Sequence, residues 1–267
     1  MSFMLAILKE VNHKMLTEIG ERMTKTFDHI LLLGRPAAGK SEFIDFMEKT
    51  DSKERAEEFH LGKMKGMDDF FWLWEKFLED DQWEEAGYPR IFSEKNGSNY
   101  NVIFPDQVKL YDLMFAKFNH KIAAEYLAHP EFYRDGTLII EFSRGRDDAY
   151  QNALSRLSKE ILEKSAILYV DVEFEESWRR NVARYEEKLK HSSLAHMAPR
   201  ETMEFFYKVD DWKSVTGRKD SGILNYNSTK IPFVTMNNFP ELKERGPLEK
   251  RYKPALDTLM DLYESVR

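Results

Sequence analysis

The 267-residue sequence predicts an α/β fold: a parallel sheet with helices on both faces, three layers in all, and a helical insertion between the second and third strands. Three observations carry this. The apolar runs His29-Ile30-Leu31-Leu32-Leu33, Thr137-Leu138-Ile139-Ile140-Glu141-Phe142 and Ala166-Ile167-Leu168-Tyr169-Val170-Asp171-Val172 have the length and content of strands buried on both faces. Segments of helical periodicity separate them. The first run stops at a glycine-rich loop, Gly34-Arg35-Pro36-Ala37-Ala38-Gly39-Lys40-Ser41, that leads into a helix with Phe43, Ile44 and Met47 on its apolar face. Ligands in such sheets sit beyond the carboxyl ends of the strands, which places the loop, Asp68, Asp69, Glu141 to Arg146 and Asp171 on one rim.

Each element has its own justification. Leu5, Leu8, Val11, Met15, Leu16 and Ile19 recur at helical spacing, so a helix over about residues 1–25 precedes the first strand, packed on the sheet or on a second copy in a homodimer. After the loop helix, residues 57–62 read as a second strand that runs on toward Asp68 and Asp69. Residues 70–136 are helical and aromatic, too long for a βα connection, and form an insertion whose second helix carries Leu110, Met114, Phe115, Phe118 and Ile122. Aromatic residues at that spacing are more often core than binding platform. Residues 94–99 are polar and read as a loop. Asp147 or Asp148 caps the helix after the third strand. Residues 175–190 form a charged helix, and residues 203–212 a further one. The last strand is Lys230 to Asn238, with Pro232 confining it to a strand start or an edge, and a helix from about Lys253 to Val266 follows. No internal repeat, linker or low-complexity tract divides the chain, so residues 1–267 read as one domain.

The loop fits G-x-x-x-x-G-K-[ST], a pattern that chance places in roughly one chain in a hundred of this length. Here it also has the strand before it and the helix after it that the chemistry requires. Backbone N–H groups of such a loop wrap the β-phosphate of a nucleotide, and the following helix points its positive end at the same charge. Lys40 would reach the β- and γ-phosphates from a solvent-facing position, and the Ser41 hydroxyl would ligate Mg²⁺.

Bulk properties narrow the partners. A net charge of −7, from 40 basic and 47 acidic side chains, argues against a nucleic-acid footprint or a polybasic membrane surface. There is no cysteine, hence no disulfide framework, thiolate metal site or cysteine nucleophile, which fits a reducing cytoplasm. The apolar start lacks a basic n-region and a cleavage site, and no apolar run reaches the length of a membrane span. The seven histidines show no metal-ligand spacing. No Asn-Lys-x-Asp, no apolar run ending in Asp-Glu and no Leu-Ser-Gly-Gly-Gln is present, which sets aside translational GTPases, hexameric motor ATPases and transporter ATPases.

With these residues, the chain resembles the P-loop kinases of nucleosides, nucleotides and other small metabolites, whose loops read Gly-x-Pro-x-x-Gly-Lys-[Ser/Thr]. The resemblance implies ATP and Mg²⁺ as cofactors, with Gly34 to Ser41 as the phosphate cradle. It implies a proton acceptor for the substrate hydroxyl at Asp68 or Asp69, after the second strand. Glu141-Phe142-Ser143-Arg144 is similar to the Glu-Arg-Ser element that holds the sugar in deoxynucleoside kinases. Arg179, Arg180 and Arg184, within a region over residues 175–212, are similar to an arginine-rich lid that clamps phosphates. Asn237 stands where these enzymes place the loop around adenine.

Other readings run beside these. Asp68 and Asp69 could cap the aromatic helix, Glu141, read with Ser41 as the Mg²⁺ site in which it is the outer-sphere carboxylate, could be simply structural, and the arginines could form a solvated helix face. Together the residues predict a kinase in which Lys40, Asp68 or Asp69, Glu141, Arg180 and Arg184 act on a nucleotide and a small hydroxyl-bearing or phosphorylated substrate. The alternative is a nucleotide-binding regulator or scaffold that transfers nothing. It would keep Lys40 but need neither a base near Asp68 nor lid arginines.

Overall fold

Apolar alternation sets the sheet. Along β1 (His29–Leu33) Ile30 and Leu32 pack into one buried layer, while Leu31 and Leu33 pack into the other. The computed structural model describes residues 25–97, 99–103, 107–146, 148–190 and 197–267. The helix expected ahead of β1 and the candidate cap Asp147 lie outside them. The chain continues through α1 (Lys40–Lys49), α2 (Ser52–Phe59), β2 (Lys63–Asp68) and α3 (Asp69–Glu85) into the hairpin β3 (Ser93–Asn96) and β4 (Asn99–Val102). It then forms α4 (Gln107–Ile122), a π-helical turn, a 3₁₀ turn, β5 (Gly136–Phe142), α5 (Ala149–Arg156), α6 (Lys159–Glu163) and β6 (Ser165–Asp171). The last elements are α7 (Phe174–Leu189), α8 (Arg200–Tyr207), α9 (Trp212–Val215), β7 (Ser221–Tyr226), β8 (Thr229–Asn237) and α10 (Arg245–Ser265).

The main sheet has the order β2-β5-β1-β6-β8-β7, parallel except for β7. Helices α1, α2 and α10 cover one face, and α4, α5, α6 and α9 the other. This is the expected three-layer α/β fold. The register sets Asp68 beside Glu141 and Asp171 beside Asn237, so the carboxyl ends of the strands form the expected rim.

Several elements differ from the sequence expectation. The second strand begins at Lys63 and not within residues 57–62, because the Asp51 carboxylate accepts from Lys53 N and Glu54 N and starts α2 there. His60, at φ 57°, ends that helix. β2 is an edge strand whose outer positions are lysines, so it has no apolar run to read. β7 has no counterpart in the sequence reading; the two-residue turn Asn227-Ser228, with both φ positive, folds it back on β8. β8 is therefore internal, and Pro232 is tolerated because parallel pairing with β6 starts only at Phe233. The helix expected over residues 203–212 is broken where Asp210 accepts from Trp212 N at 3.0 Å. α10 starts ahead of Lys253 and runs through Pro254, since buried Leu248 and Tyr252 hold its first turns on the sheet. Asp148 occupies the N-cap position of α5, but its side chain makes no cap bond there. The Asp211 carboxylate accepts from Tyr150 N (2.7 Å) and Gln151 N (2.9 Å) in its place.

The insertion contains α3, the hairpin and α4 around a small core of Leu73, Phe77, Val102, Leu110 and Met114. Residues 94–99, expected as a loop, are largely that hairpin. Its anchor is Asp80. This fully buried carboxylate accepts from Ile91 N (2.9 Å), Phe92 N (2.9 Å), Ser93 N (2.6 Å) and Ser93 Oγ (2.8 Å). An amide at this position would aim an NH₂ at donors. Asp80→Asn is therefore expected to lower stability by about 3 kcal/mol, the scale of losing one or two charge-assisted bonds. Urea unfolding measures the loss, and limited proteolysis should cut first between α3 and β4.

Candidate active site

The phosphate loop leaves β1 and turns through positive φ at Gly34 (139°), Ala37 (54°) and Gly39 (108°). Glycine is required at both ends of the turn. A Cβ on Gly34 would collide with Val170 O, and one on Gly39 with the Asn238 side chain. Gly39 contributes no side-chain cap to α1, so the first-turn N–H groups of that helix are left to an incoming anion.

The loop carbonyls face the other way, and the loop's own Lys40 and side chains from distant segments satisfy them. Lys40 Nζ donates to Gly34 O (3.1 Å) and Arg35 O (3.0 Å), and Ser177 Oγ to Pro36 O (2.6 Å). Ala38 O accepts from Asn238 Nδ2 (2.7 Å) and Arg180 Nη1 (3.3 Å). Arg180 also donates to Asn238 O (2.7 Å) and to Glu176 (2.6 Å), and is only 5% exposed. Arg180 thus lies beneath the loop as a buttress. It does not share an open face with Arg184, which is exposed and whose charge acts on both Lys40 and Glu141. Arg179 is on the surface, paired with Glu176 and Glu241. Asn238 touches the loop, whereas the expected Asn237 accepts from Phe239 N at 2.9 Å. The Arg35 guanidinium also points away from the cradle, to Asp210 (2.7 Å), Tyr207 O (3.0 Å) and Val172 O (3.1 Å).

Lys40 is not solvent-facing as expected; it is buried, with its Nζ donating to Ser143 Oγ at 2.8 Å and lying 3.8 Å from Glu141. Burial pushes its ammonium pKa down, and Glu141, Asp68 and Asp69 oppose that shift. The two neighbouring aspartates have separate surroundings. Asp69 is buried and paired with Arg144 Nη2 at 2.6 Å. Arg144 lies 4.6 Å from the rings of both Tyr111 and Phe115, which α4 supplies. Asp68 caps α3 by accepting from Phe70 N at 2.9 Å, and is only partly buried. Burial first, then the charge of Glu141, pushes its carboxyl up to about 7. Glu141 is raised as well, by burial, with Lys40 acting against the rise.

A nucleotide with Mg²⁺ fits this donor set. Ser41 is exposed in the first turn of α1, and Glu141 stands beside Lys40. Among the described residues no three His, Cys, Asp or Glu groups are placed to hold a metal. Beside Ser143 and Arg144 a cleft of about 40 Å³ opens, lined also by Tyr111, Phe115, Phe206 and Tyr207. Sequence reasoning missed the Asp69–Arg144 pair and the role of Asn238. The only signals were an arginine displaced within Glu141-Phe142-Ser143-Arg144 and the doubled asparagine.

A central strand, phosphate loop and helix in a parallel sheet define a P-loop α/β protein. No protein-family model matches the sequence, and no curated protein does. Among solved structures, the chain is similar to TT1252 from Thermus thermophilus, at 15% identity over 89% of this chain and 99% of that one, with a TM-score of 0.39. It is similar also to an unliganded sugar kinase from Janibacter sp. HTCC2649, at 13% identity over 88% and 98%, with a TM-score of 0.36. At TM-scores this low the likeness carries no weight, and the functional reading rests on the site's own geometry.

The buttress is testable. Arg180→Ala leaves Asn238 O without the guanidinium donor and Ala38 O with Asn238 Nδ2 alone, so the variant is expected to unfold at lower temperature and to bind Mg·ATP about tenfold more weakly, the scale of one lost charge-assisted bond. Scanning calorimetry and titration calorimetry measure the two effects. A free phosphate clamp would leave thermal stability unchanged.

Proposed function

We propose that this protein is a Mg·ATP-dependent kinase that phosphorylates a hydroxyl of a small metabolite. The observation that carries the reading is Asp68, a carboxylate beside Glu141 on the strand rim and within electrostatic reach of Lys40, whose pKa is pushed up to about 7. A base poised near working pH is what hydroxyl activation asks for, and a nucleotide-binding regulator has no use for one.

The residues divide the work as follows. The N–H groups of Gly39, Lys40 and Ser41 take the β-phosphate. Lys40 exchanges Ser143 and the loop carbonyls for phosphate oxygens, which restores its hydrogen bonds and pairs its charge. Mg²⁺, when bound, neutralises phosphate charge, and Ser41 and Glu141 would hold it. Asp68 accepts the acceptor's hydroxyl proton as that oxygen bonds to the γ-phosphorus and the bond to the β-phosphate oxygen breaks, releasing ADP. Asp69 stays out of the transfer, its charge matched by Arg144. Arg184 lies at the open side, where its guanidinium meets charge spreading onto the γ-phosphoryl oxygens.

Lys40→Ala is expected to fold, with a lower melting temperature because Gly34 O and Arg35 O lose their side-chain donor, and to lose measurable Mg·ATP binding in titration calorimetry. Wild-type affinity in that variant would remove the nucleotide reading.

Asp68→Asn separates kinase from regulator. The amide keeps the cap but not the base, so kcat should fall by roughly 10²–10⁴ with Mg·ATP affinity retained. Stability gives a second readout. The folded pKa lies above the unfolded value of about 3.9, so the contribution of Asp68 is full at low pH and is lost as pH rises through about 7. The variant should match wild type near about pH 4 and melt at a higher temperature near about pH 8. Equal kcat in the two proteins with the best acceptor found would remove Asp68 as the base, and no transfer by wild type to any acceptor would leave the regulator reading standing.

A further inference from the structure

On the face of the sheet opposite α1, the ends of β6 and β8 and the segment from α8 to β7 enclose a cavity of about 410 Å³. That volume lies within the range of small-ligand pockets, about 300–1,000 Å³. The kinase reading leaves it without a role, since none of the groups given a part in the transfer lines it.

Its wall is formed by Tyr169, Asp171, Trp212 and Thr235. The Tyr169 and Trp212 rings stack on one another at 4.7 Å, which makes that side rigid and apolar. The Asp171 carboxylate accepts no hydrogen bond from the described residues; Lys213 and Arg35 act on its charge, with Arg35 Nη1 3.9 Å away. Arg35 is held more closely by Asp210 at 2.7 Å, so Asp171 has acceptor capacity to spare.

The rim has the opposite character. Lys208, Lys213, Arg218 and Lys219 are all exposed there and make no ion pair with the described residues. Glu173 and Asp220 share the rim, which leaves cations in excess. One cavity therefore offers a hydrogen-bond acceptor at its wall and a cationic mouth.

We propose that this cavity is a second ligand site, for a hydroxylated metabolite carrying a phosphate group. Hydroxyls of the ligand donate to Asp171, and the phosphate lies at the mouth on Lys213 and Arg218, where a guanidinium fork can take two of its oxygens. Because Arg35 both lines this cavity and belongs to the phosphate loop, a ligand here would rest against the anchor of that loop.

The probe is glucose 6-phosphate, titrated calorimetrically without nucleotide, with glucose and inorganic phosphate as the two half-ligands. Wild type is expected to bind the whole probe more tightly than either half. The double variant Lys213→Glu/Arg218→Glu should weaken it by at least about tenfold, and Asp171→Asn should weaken it too. Lys40→Ala should bind it as wild type does. The variant positions are exposed or partly exposed, and circular dichroism verifies folding; Lys208→Glu/Lys219→Glu serves as a second rim pair. The proposal is overturned if wild type does not bind the probe, or if Lys40→Ala abolishes binding while the rim variants keep it. The second pattern would place the sugar phosphate in the phosphate loop. Mg·ATP binding is measured separately, so the two sites stand or fall independently.

Discussion

The loop from Gly34 to Ser41 depends on one constraint: N–H groups turned inward to receive an anion force the carbonyls outward, and buried carbonyls must find donors. Lys40, Ser177, Arg180 and Asn238 supply them. Those donors come from α1, α7 and the turn after β8, so the loop joins three parts of the chain. Arg251 of α10 extends the set by donating to Asn238 Oδ1 at 2.6 Å. The sheet order makes this feasible, since β6 and β8 lie in sequence beside β1 and deliver their ends to the back of the loop.

Charge is distributed with a similar economy on the other side of the loop. Asp68, Asp69 and Glu141 would repel one another if all were ionised and unpaired. Arg144 takes up the charge of Asp69, and Lys40 faces Glu141, which leaves Asp68 the carboxylate whose proton is easiest to retain. Such an arrangement costs stability when the site is empty, a common condition of groups poised for chemistry. The guanidinium of Arg144 is tolerated in the interior because rings from α4 and β5 surround it and Asp69 balances it.

This gives the insertion a part in the site beyond covering the sheet. Tyr111 and Phe115 hold Arg144 in place, and α3 starts at the Asp68–Asp69 pair itself. Most of its aromatics are core or pack against it, as their helical spacing suggests, with Phe77, Phe115 and Phe118 buried. Phe71, Trp83 and Tyr88 remain exposed.

What the sequence by itself determined is what contiguous residues can express. β1, β5 and β6 are apolar runs buried on both faces, α7 has a periodic charged pattern, and the phosphate loop has its glycines, lysine and serine at set spacing. Each follows from local sterics and burial, so each was legible. The edge strand β2 has no apolar pattern because one side of it meets solvent. β7 exists only because β8 offers an edge, and the hairpin within the insertion hangs on the buried Asp80 carboxylate across the intervening chain. The tertiary structure alone decided that Arg180 lies under the loop while Arg184 stays open, that Asn238 and not Asn237 reaches Ala38, and that Asp69 is ion-paired with Arg144 while Asp68 caps α3. Each of those distinctions depends on a partner far away in sequence, such as Arg144 for Asp69, and hydrogen bonding and ion pairing act through space, where residue spacing carries no record of them.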